Sequence, residues 1–562
     1  MLIKKGAVRR KKITIKIVSI GILIFCVCIF FHYSVYGAGV DVRYQPLLEK
    51  NSILYSGKWH YFSLSERGEH GNPAYGHFDA SPRFSSLENL ITYAPFSYLE
   101  LNVGYEETLP SDYKISIYNP QGNVAEEQSY NINYFRDYYV GLRARSQTVE
   151  LFADFLEKNQ KARWNWSTMP NKPHYYSYIR SHYEDIRGGV RFLSKSDEEV
   201  ADVSHLSQFI TPLLKQNQIN VEGELEYRNG NIRRNSYYDT FSRFDNFYHT
   251  LRPHVTPKIT LRYGIHDEIE LESGVAYTTP FKYAFTHHKP DGASLFTTGT
   301  YQLKDSWYIP FKMRYRPVDE FEFMVSSDFN FITQKLNYYT QVDTTNQTRY
   351  PYKELNAYRI KPTAKLTYLY RNEREKRQDA FLSVTKDLLL RNQFMVELLY
   401  QRDIVHLSKE ENNGALNIID PYNAFLYPLD SFVAGTEYAT FLAGNGSHLA
   451  ANVLPQNYDR FETTLSYGIT DTINAGVKGG FNTGSAFSHF IVDDLSARFY
   501  KIDPYFYFDF GCDWQMTHNS LMSLKSHFVP RYTTIVDREG HSNLYKAENR
   551  YFNISLGLTF LF

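Results

Sequence analysis

The feature that most narrows the fold is a strict two-residue alternation of apolar and polar side chains, repeated along the chain. Phe321, Phe323, Val325, Phe329 and Phe331 are separated by Glu322, Met324, Ser326, Asp328 and Asn330. Ile269, Leu271, Val275 and Tyr277 alternate with Glu268, Glu270, Gly274 and Ala276, and Leu99, Leu101, Val103 and Tyr105 with Glu100, Asn102 and Gly104. Phe506, Phe508 and Phe510 alternate with Tyr505, Tyr507 and Asp509. Successive side chains of a strand point to opposite faces, so such segments are strands with one apolar face. After residue 37 no apolar run is long enough to span a bilayer as a helix, which needs about 20 residues.

The connections between these segments come in two lengths. Lys258–Tyr263 runs through Gly264-Ile265-His266-Asp267 into Glu268–Tyr277, and Phe461–Tyr467 through Gly468-Ile469-Thr470-Asp471 into Thr472–Phe481. Both contain Tyr-Gly-Ile-Xaa-Asp, an internal echo. Ala94-Pro95-Phe96-Ser97 and Arg316-Pro317-Val318-Asp319 have the Pro and Asp chemistry of tight turns. Between the hairpins lie long polar stretches, 228–253, 279–307, 333–357 and 403–460, which read as loops. Short connections at one end and long ones at the other are the mark of a transmembrane β-barrel. The expectation is an all-β, closed antiparallel barrel of about 18 strands, within a range of about 16–20. Up and down parity needs a further strand near Leu336–Val342 and fails around 130–227. Residues 200–215, with Val200, Val203, Leu206, Phe209, Ile210, Leu213 and Leu214, read as a short amphipathic helix, a loop helix or part of a plug.

The N-terminus has a different character. Lys4, Lys5, Arg9, Arg10, Lys11 and Lys12 precede an apolar run from Ile13 to Phe31, interrupted by Lys16, and small residues follow at Val35, Gly37 and Ala38. This is the layout of a secretory signal peptide over 1–37, with the barrel occupying 38–562. It also explains the charge. The chain balances 61 basic against 61 acidic residues, but the first 37 carry seven Lys and Arg and no acid. The remainder holds 54 basic residues, a net of −7, so nucleic acid is not an expected partner. Cys26 and Cys28 lie in the leader, so only Cys512 survives processing and no disulfide framework or thiolate metal cluster is expected. Aromatic residues reach 17%, with 48 Tyr and 40 Phe, side chains suited to pleated strands and to the membrane interface. Trp59, Tyr93, Tyr277, Trp307 and Trp514 are candidates for interface girdles.

The last segment is the most specific. From Tyr551 the chain ends with apolar residues at Phe552, Ile554, Leu556, Leu558, Phe560 and Phe562, and with Asn553, Ser555, Gly557 and Thr559 between them. This resembles the closing strand of bacterial outer-membrane β-barrel proteins of the porin-like class. The resemblance implies a bacterial outer-membrane location, contact with outer-membrane lipid, and recognition of those six residues by the barrel-assembly machinery. It covers the last dozen residues in detail and the body as a pattern, and it points to no particular family.

No phosphate-binding loop, His-Glu-x-x-His zinc motif or Gly-x-Ser-x-Gly elbow occurs, and no cofactor is expected. The chain is therefore read as a non-enzyme. The informative charges are those whose parity places them on the polar face: Arg262, Glu268, Glu270, Glu272, Lys312, Arg314, Glu322 and Asp328. These pore-lining candidates either steady the wall by cross-strand ion pairing or form a charged constriction that selects solutes. The expected function is a porin-like channel for passive diffusion of small hydrophilic solutes, with loops from 403–460 or 158–173 folding inward and a weak lean to cations. The alternatives are a plugged barrel exporting or assembling envelope polysaccharide or lipid, an outer-membrane enzyme, and a soluble β protein.

Overall fold

The computed structural model describes residues 48–562 except 71–76, 82, 147, 169–174, 195–212, 239–242, 289–294, 344–345, 371–387, 410–457, 492–495, 518 and 539–540. The signal segment 1–37, most of the expected 200–215 helix and most of loop 403–460 lie outside the described residues.

Every regular element among the described residues is a strand. In chain order they are β1 (Ile53–His70), β2 (His77–Ala80), β3 (Arg83–Phe96), β4 (Leu99–Thr108), β5 (Ser111–Tyr118), β6 (Val124–Arg145), β7 (Val149–Thr168) and β8 (Tyr175–Ser194). Next come β9 (Ile219–Tyr238), β10 (Arg243–His266), β11 (Ile269–Thr278), β12 (Phe281–His288), β13 (Leu295–Val318), β14 (Phe321–Asp343) and β15 (Asn346–Tyr370). The last are β16 (Phe394–Lys409), β17 (Tyr458–Thr470), β18 (Ile473–Asn482), β19 (Ser485–Ile491), β20 (Ser496–Ile502), β21 (Tyr505–Thr517), β22 (Ser520–Arg538) and β23 (His541–Leu561).

Five successive pairs share their neighbours and are single staves with a break: β2 with β3, β4 with β5, β11 with β12, β18 with β19 and β20 with β21. The 23 segments thus make 18 staves, as the alternation predicts. The ring closes where β1 pairs antiparallel with β23, from Leu54 opposite Leu561 to His70 opposite Tyr545. Closure leaves no unpaired edge, the condition for strands to cross lipid.

The staves are longer than a bilayer requires. β15 has 25 residues and β10 and β13 have 24, against about 9–11 for a tilted spanning strand. Outward apolar side chains crowd the half of each stave next to the short turns: Ile259, Leu261 and Ile265 on β10; Trp307, Ile309, Phe311, Tyr315 and Val318 on β13; Phe506, Phe508, Phe510 and Trp514 on β21. The membrane belt lies there, and the staves continue beyond it. The stretches 228–253, 279–307 and 333–357, expected as loops, are largely strand, as is 158–168. The expected strand at Leu336–Val342 is the outer part of β14, and β6, β7 and β8 fill the region where parity failed. Beyond the belt both strand faces meet water, so alternation disappears while pairing persists.

The barrel is built as three sectors of six staves, β1–β8, β9–β15 and β16–β23. Each sector begins with the same short segment: Leu48-Glu49-Lys50-Asn51-Ser52, Leu214-Lys215-Gln216-Asn217-Gln218 and Leu389-Leu390-Arg391-Asn392-Gln393. The leucine is buried each time, and the asparagine has positive φ, 65°, 63° and 65°. The asparagine N–H donates to the carbonyl of Ala94, Gly264 or Gly468 near the end of the second stave, at 2.6, 2.8 and 2.9 Å. A Cβ on Gly264 would lie 2.0 Å from the Lys215 carbonyl oxygen, and one on Gly468 2.0 Å from that of Leu390. Ile265 and Ile469 face outward, so these glycines face inward, and each clasp lies against the inside of the rim. The third stave of each sector breaks at the same place, where Leu109, Thr279 and Thr483 donate their N–H to Ser85, Val255 and Asp459.

Outward faces carry Val103 at 57% exposure, Ile259 at 57%, Phe506 at 58% and Phe510 at 53%, with similar residues around the whole ring. A continuous apolar girdle of this kind needs lipid against it. The protein is an outer-membrane β-barrel. Trp59, Tyr93, Trp307 and Trp514 are exposed, and Tyr277 packs on Trp307 with ring centroids 4.6 Å apart.

Candidate functional site: the inner wall

Parity turns the polar alternates of every stave inward, and opposite charges are brought together there by register. In the second sector Glu270 on β11 stands opposite Arg314 on β13, and Arg262 on β10 opposite Glu272. Arg314 Nη2 lies 2.8 Å from Glu322 Oε2 and Arg314 Nη1 3.7 Å from Glu270 Oε1. Arg316 joins the same Glu322 carboxylate. Glu272 takes Arg262 at 2.9 Å and Lys312 at 3.4 Å. Six of the eight candidates read from the sequence, Arg262, Glu270, Glu272, Lys312, Arg314 and Glu322, thus form one patch across β10, β11, β13 and β14. Asp328 lies further out on the inner face of β14 and accepts a hydrogen bond from Tyr308 Oη at 2.9 Å. Glu268 sits in the turn before β11, where its carbonyl accepts the Arg316 N–H, and does not join the patch.

The first sector carries the same arrangement, which inspection of the sequence missed. Glu100 stands opposite Arg143, and Arg145 opposite Glu150. Glu150 is fully buried; Arg143 approaches it to 3.3 Å, Arg191 to 2.6 Å, and Arg145 completes the cluster. Arg143 also reaches Glu100 at 3.4 Å, and Arg191 reaches Glu222 on β9 at 2.8 Å. The two lattices correspond position by position: Glu100 to Glu270, Arg143 to Arg314, Arg145 to Arg316, and Glu150 to Glu322.

The lattices also hold the clasps. Glu100 accepts the Leu48 N–H at 2.6 Å, and Glu270 accepts that of Leu214 at 2.8 Å. In each carboxylate one oxygen accepts the backbone N–H and the other faces a guanidinium, so the group is satisfied on both sides, as a buried charge requires. Further round the wall, Arg359 Nε donates to Asp403 Oδ1 at 2.8 Å, and Asp403 is fully buried.

No family model matches the sequence, and no curated protein matches it. Solved structures of similar layout do exist. The siderophore receptor PiuA from Acinetobacter baumannii is 8% identical, with 92% of this chain and 82% of that one covered and a TM-score of 0.42. The ferric yersiniabactin uptake receptor FyuA from Yersinia pestis is 8% identical, with coverage of 92% and 80% and a TM-score of 0.42. The toluene transporter TodX from P. putida is 7% identical, with coverage of 92% and 90% and a TM-score of 0.30.

Proposed function

We propose that the barrel is a water-filled channel through which small hydrophilic solutes cross the outer membrane by diffusion. The observation that carries this reading is the polarity of the inner wall. Lys58, Glu100, Arg143, Glu222, Lys258, Glu272, Lys312, Asp328, Lys365, Arg460 and Lys478 all lie on inward faces, on staves around the whole ring. Among the described residues every element belongs to the wall. So much ionised surface supports a lumen filled with water.

Within this reading the paired residues Arg314, Glu322 and Glu270 steady the wall. The half-exposed Arg262 and Lys312 set the local field for passing ions. Liposome swelling tests the reading. Vesicles holding the folded protein should swell in neutral sugars at rates that fall with sugar size. Absence of swelling at every size would overturn diffusion and favour a plugged exporter.

The segment 1–37 acts in this account as a cleaved signal peptide, and N-terminal sequencing of protein from the outer membrane should begin at Ala38. Phe552, Ile554, Leu556, Leu558 and Phe560 on the membrane face of β23, with Phe562 just past its end, serve as the assembly signal. Deleting Phe562 should lower the amount of folded protein in the membrane several-fold; unchanged levels would remove that role.

A further inference from the structure

The outside of the wall is not uniform beyond the membrane belt. On β8 the exposed Ile186, Val190 and Phe192 face outward, so the even-numbered residues of that stave share the outer face. The pairing of β7 with β8 and of β8 with β9 runs without a register shift, which fixes the outer face row by row. The last apolar row holds Val140, Phe155 and Ile186. The next holds Tyr138, Glu157 and Glu184, and the one after it Arg136, Asn159, His182 and Asn231.

Two rows of different character follow. Lys161, Arg180 and Arg233 stand side by side on β7, β8 and β9, and Arg163 stands in the next row, opposite Tyr178. The flanking positions are Tyr134 and Tyr248 in the first row and Asn131, Asn235 and Asn246 in the second. Four cations thus occupy two adjoining rows that carry no acid from β6 to β10. Asp112, on β5, stands at the margin opposite Asn131. Nearer the belt each charged group has a partner: Arg136 meets Glu107 at 2.8 Å, and His182 lies 3.7 Å from Glu157 and 3.6 Å from Glu184. Elsewhere on the outer face Arg402 faces Asp459 at 3.7 Å and Arg67 faces Asp79 at 3.5 Å. Like charges directly opposite on neighbouring strands are destabilising, so the rows of Arg180 and Arg163 favour an anion against them.

Height selects the anion. From Ile186 back to Arg180 is six residues, roughly 20 Å along a strand and roughly 15 Å along the membrane normal at the usual barrel tilt. The headgroup layer of a phospholipid is only about 5–8 Å deep, so its phosphate lies below these cations, nearer the level of Glu157 and Glu184. Transmembrane barrels turn their short connections to the periplasm, which puts the cation rows above the outer leaflet.

We propose that the outer face of β7, β8 and β9 binds a glycolipid of the outer leaflet that carries phosphate on its sugars. The acyl chains lie against the apolar rows of the same staves, where Leu225 is 54% exposed and Val190 42%. The sugar phosphates stand against the rows of Lys161, Arg180, Arg233 and Arg163, and guanidinium is the side-chain group best shaped for phosphate. The site lies outside the wall and does not depend on what passes through the lumen.

The test is displacement of a fluorescent rough lipopolysaccharide, with phosphorylated core sugars, from the detergent-folded full chain, followed by anisotropy. The unlabelled parent glycolipid should displace it. The same glycolipid stripped of phosphate, phosphatidylglycerol and inorganic phosphate should each be weaker by about tenfold or more. Arg180→Gln combined with Arg233→Gln should weaken the parent glycolipid by a similar factor. Arg402→Gln, above the belt on β16 beside its own carboxylate, should leave binding as it was. The stripped glycolipid is measured on the unaltered chain, so that arm stands whether or not the double variant folds. Equal displacement by the stripped glycolipid, or unchanged affinity in the folded double variant, would overturn the proposal. Equal displacement by phosphatidylglycerol would also overturn it, as a general attraction to anionic lipid. Equal displacement by inorganic phosphate would do so by making a soluble anion the occupant.

Discussion

Glu150 shows what holds the inner wall together. It is fully buried and is met by Arg143, Arg145 and Arg191 from both flanking staves. A buried ion pair adds little net stability, because desolvation offsets attraction, but removing one member leaves uncompensated charge. Glu150→Gln should therefore lower unfolding stability by roughly 3–5 kcal/mol, and Glu322→Gln by a similar amount. Lys58→Gln is the contrast. Lys58 and Glu88 are 46% and 33% exposed, and such a pair contributes roughly 0–1 kcal/mol. Urea midpoints of the refolded proteins measure both, and equal losses at Glu150 and Lys58 would show that burial does not govern the wall. The sequence showed the second lattice because Lys258 to Glu322 form consecutive hairpins with matched parity. It hid the first because the alternation fails from about residue 130, so the Arg143 to Glu150 hairpin was given no face, although Glu100 and Arg143 are no further apart in the chain than Glu270 and Arg314.

The clasps are the elements that fix the rim at the short turns. Each turns on an asparagine in the left-handed region, a conformation that costs a residue with Cβ roughly 1–2 kcal/mol and that Asn and Gly tolerate best. Tyr263 Oη and Tyr467 Oη donate to the Oδ1 of Asn217 and Asn392 at 3.0 and 2.8 Å, which further favours asparagine. Asn217→Ala should be less stable than Asn217→Gly by about 1 kcal/mol. Gly468→Ala should cost more than either, because its Cβ has a carbonyl oxygen 2.0 Å away and must displace the clasp. Urea denaturation of the three variants gives the order, and Gly468→Ala as stable as the parent would refute the close approach. The Tyr-Gly-Ile-Xaa-Asp echo in the sequence is the second-stave half of this device. The threefold repeat was not legible from it, since the first copy reads Tyr93-Ala94-Pro95-Phe96, and only contact with the Leu-x-x-Asn segment shows that Ala94 is the equivalent residue.

At the scale of the molecule, the period-two pattern gave the fold and the stave number because lipid enforces alternation wherever a strand crosses it. It failed beyond the belt, where water on both sides imposes no pattern. Long polar strands such as the outer parts of β9, β10, β14 and β15 therefore read as loops. Six staves per sector, three clasps and three breaks in the third staves describe a wall of one repeated design. In the third sector Asn474, Asp513, Gln515 and Leu521 have taken the lattice positions. That exchange gives the ring a single distinct sector. The central claim is that the ring encloses an open aqueous path. Planar-bilayer recording of the purified mature protein tests it most directly. Stable ohmic steps of porin size are predicted, with salt-gradient reversal potentials leaning to cations in keeping with the −7 charge of residues 38–562. Insertion into the bilayer without conductance would contradict it.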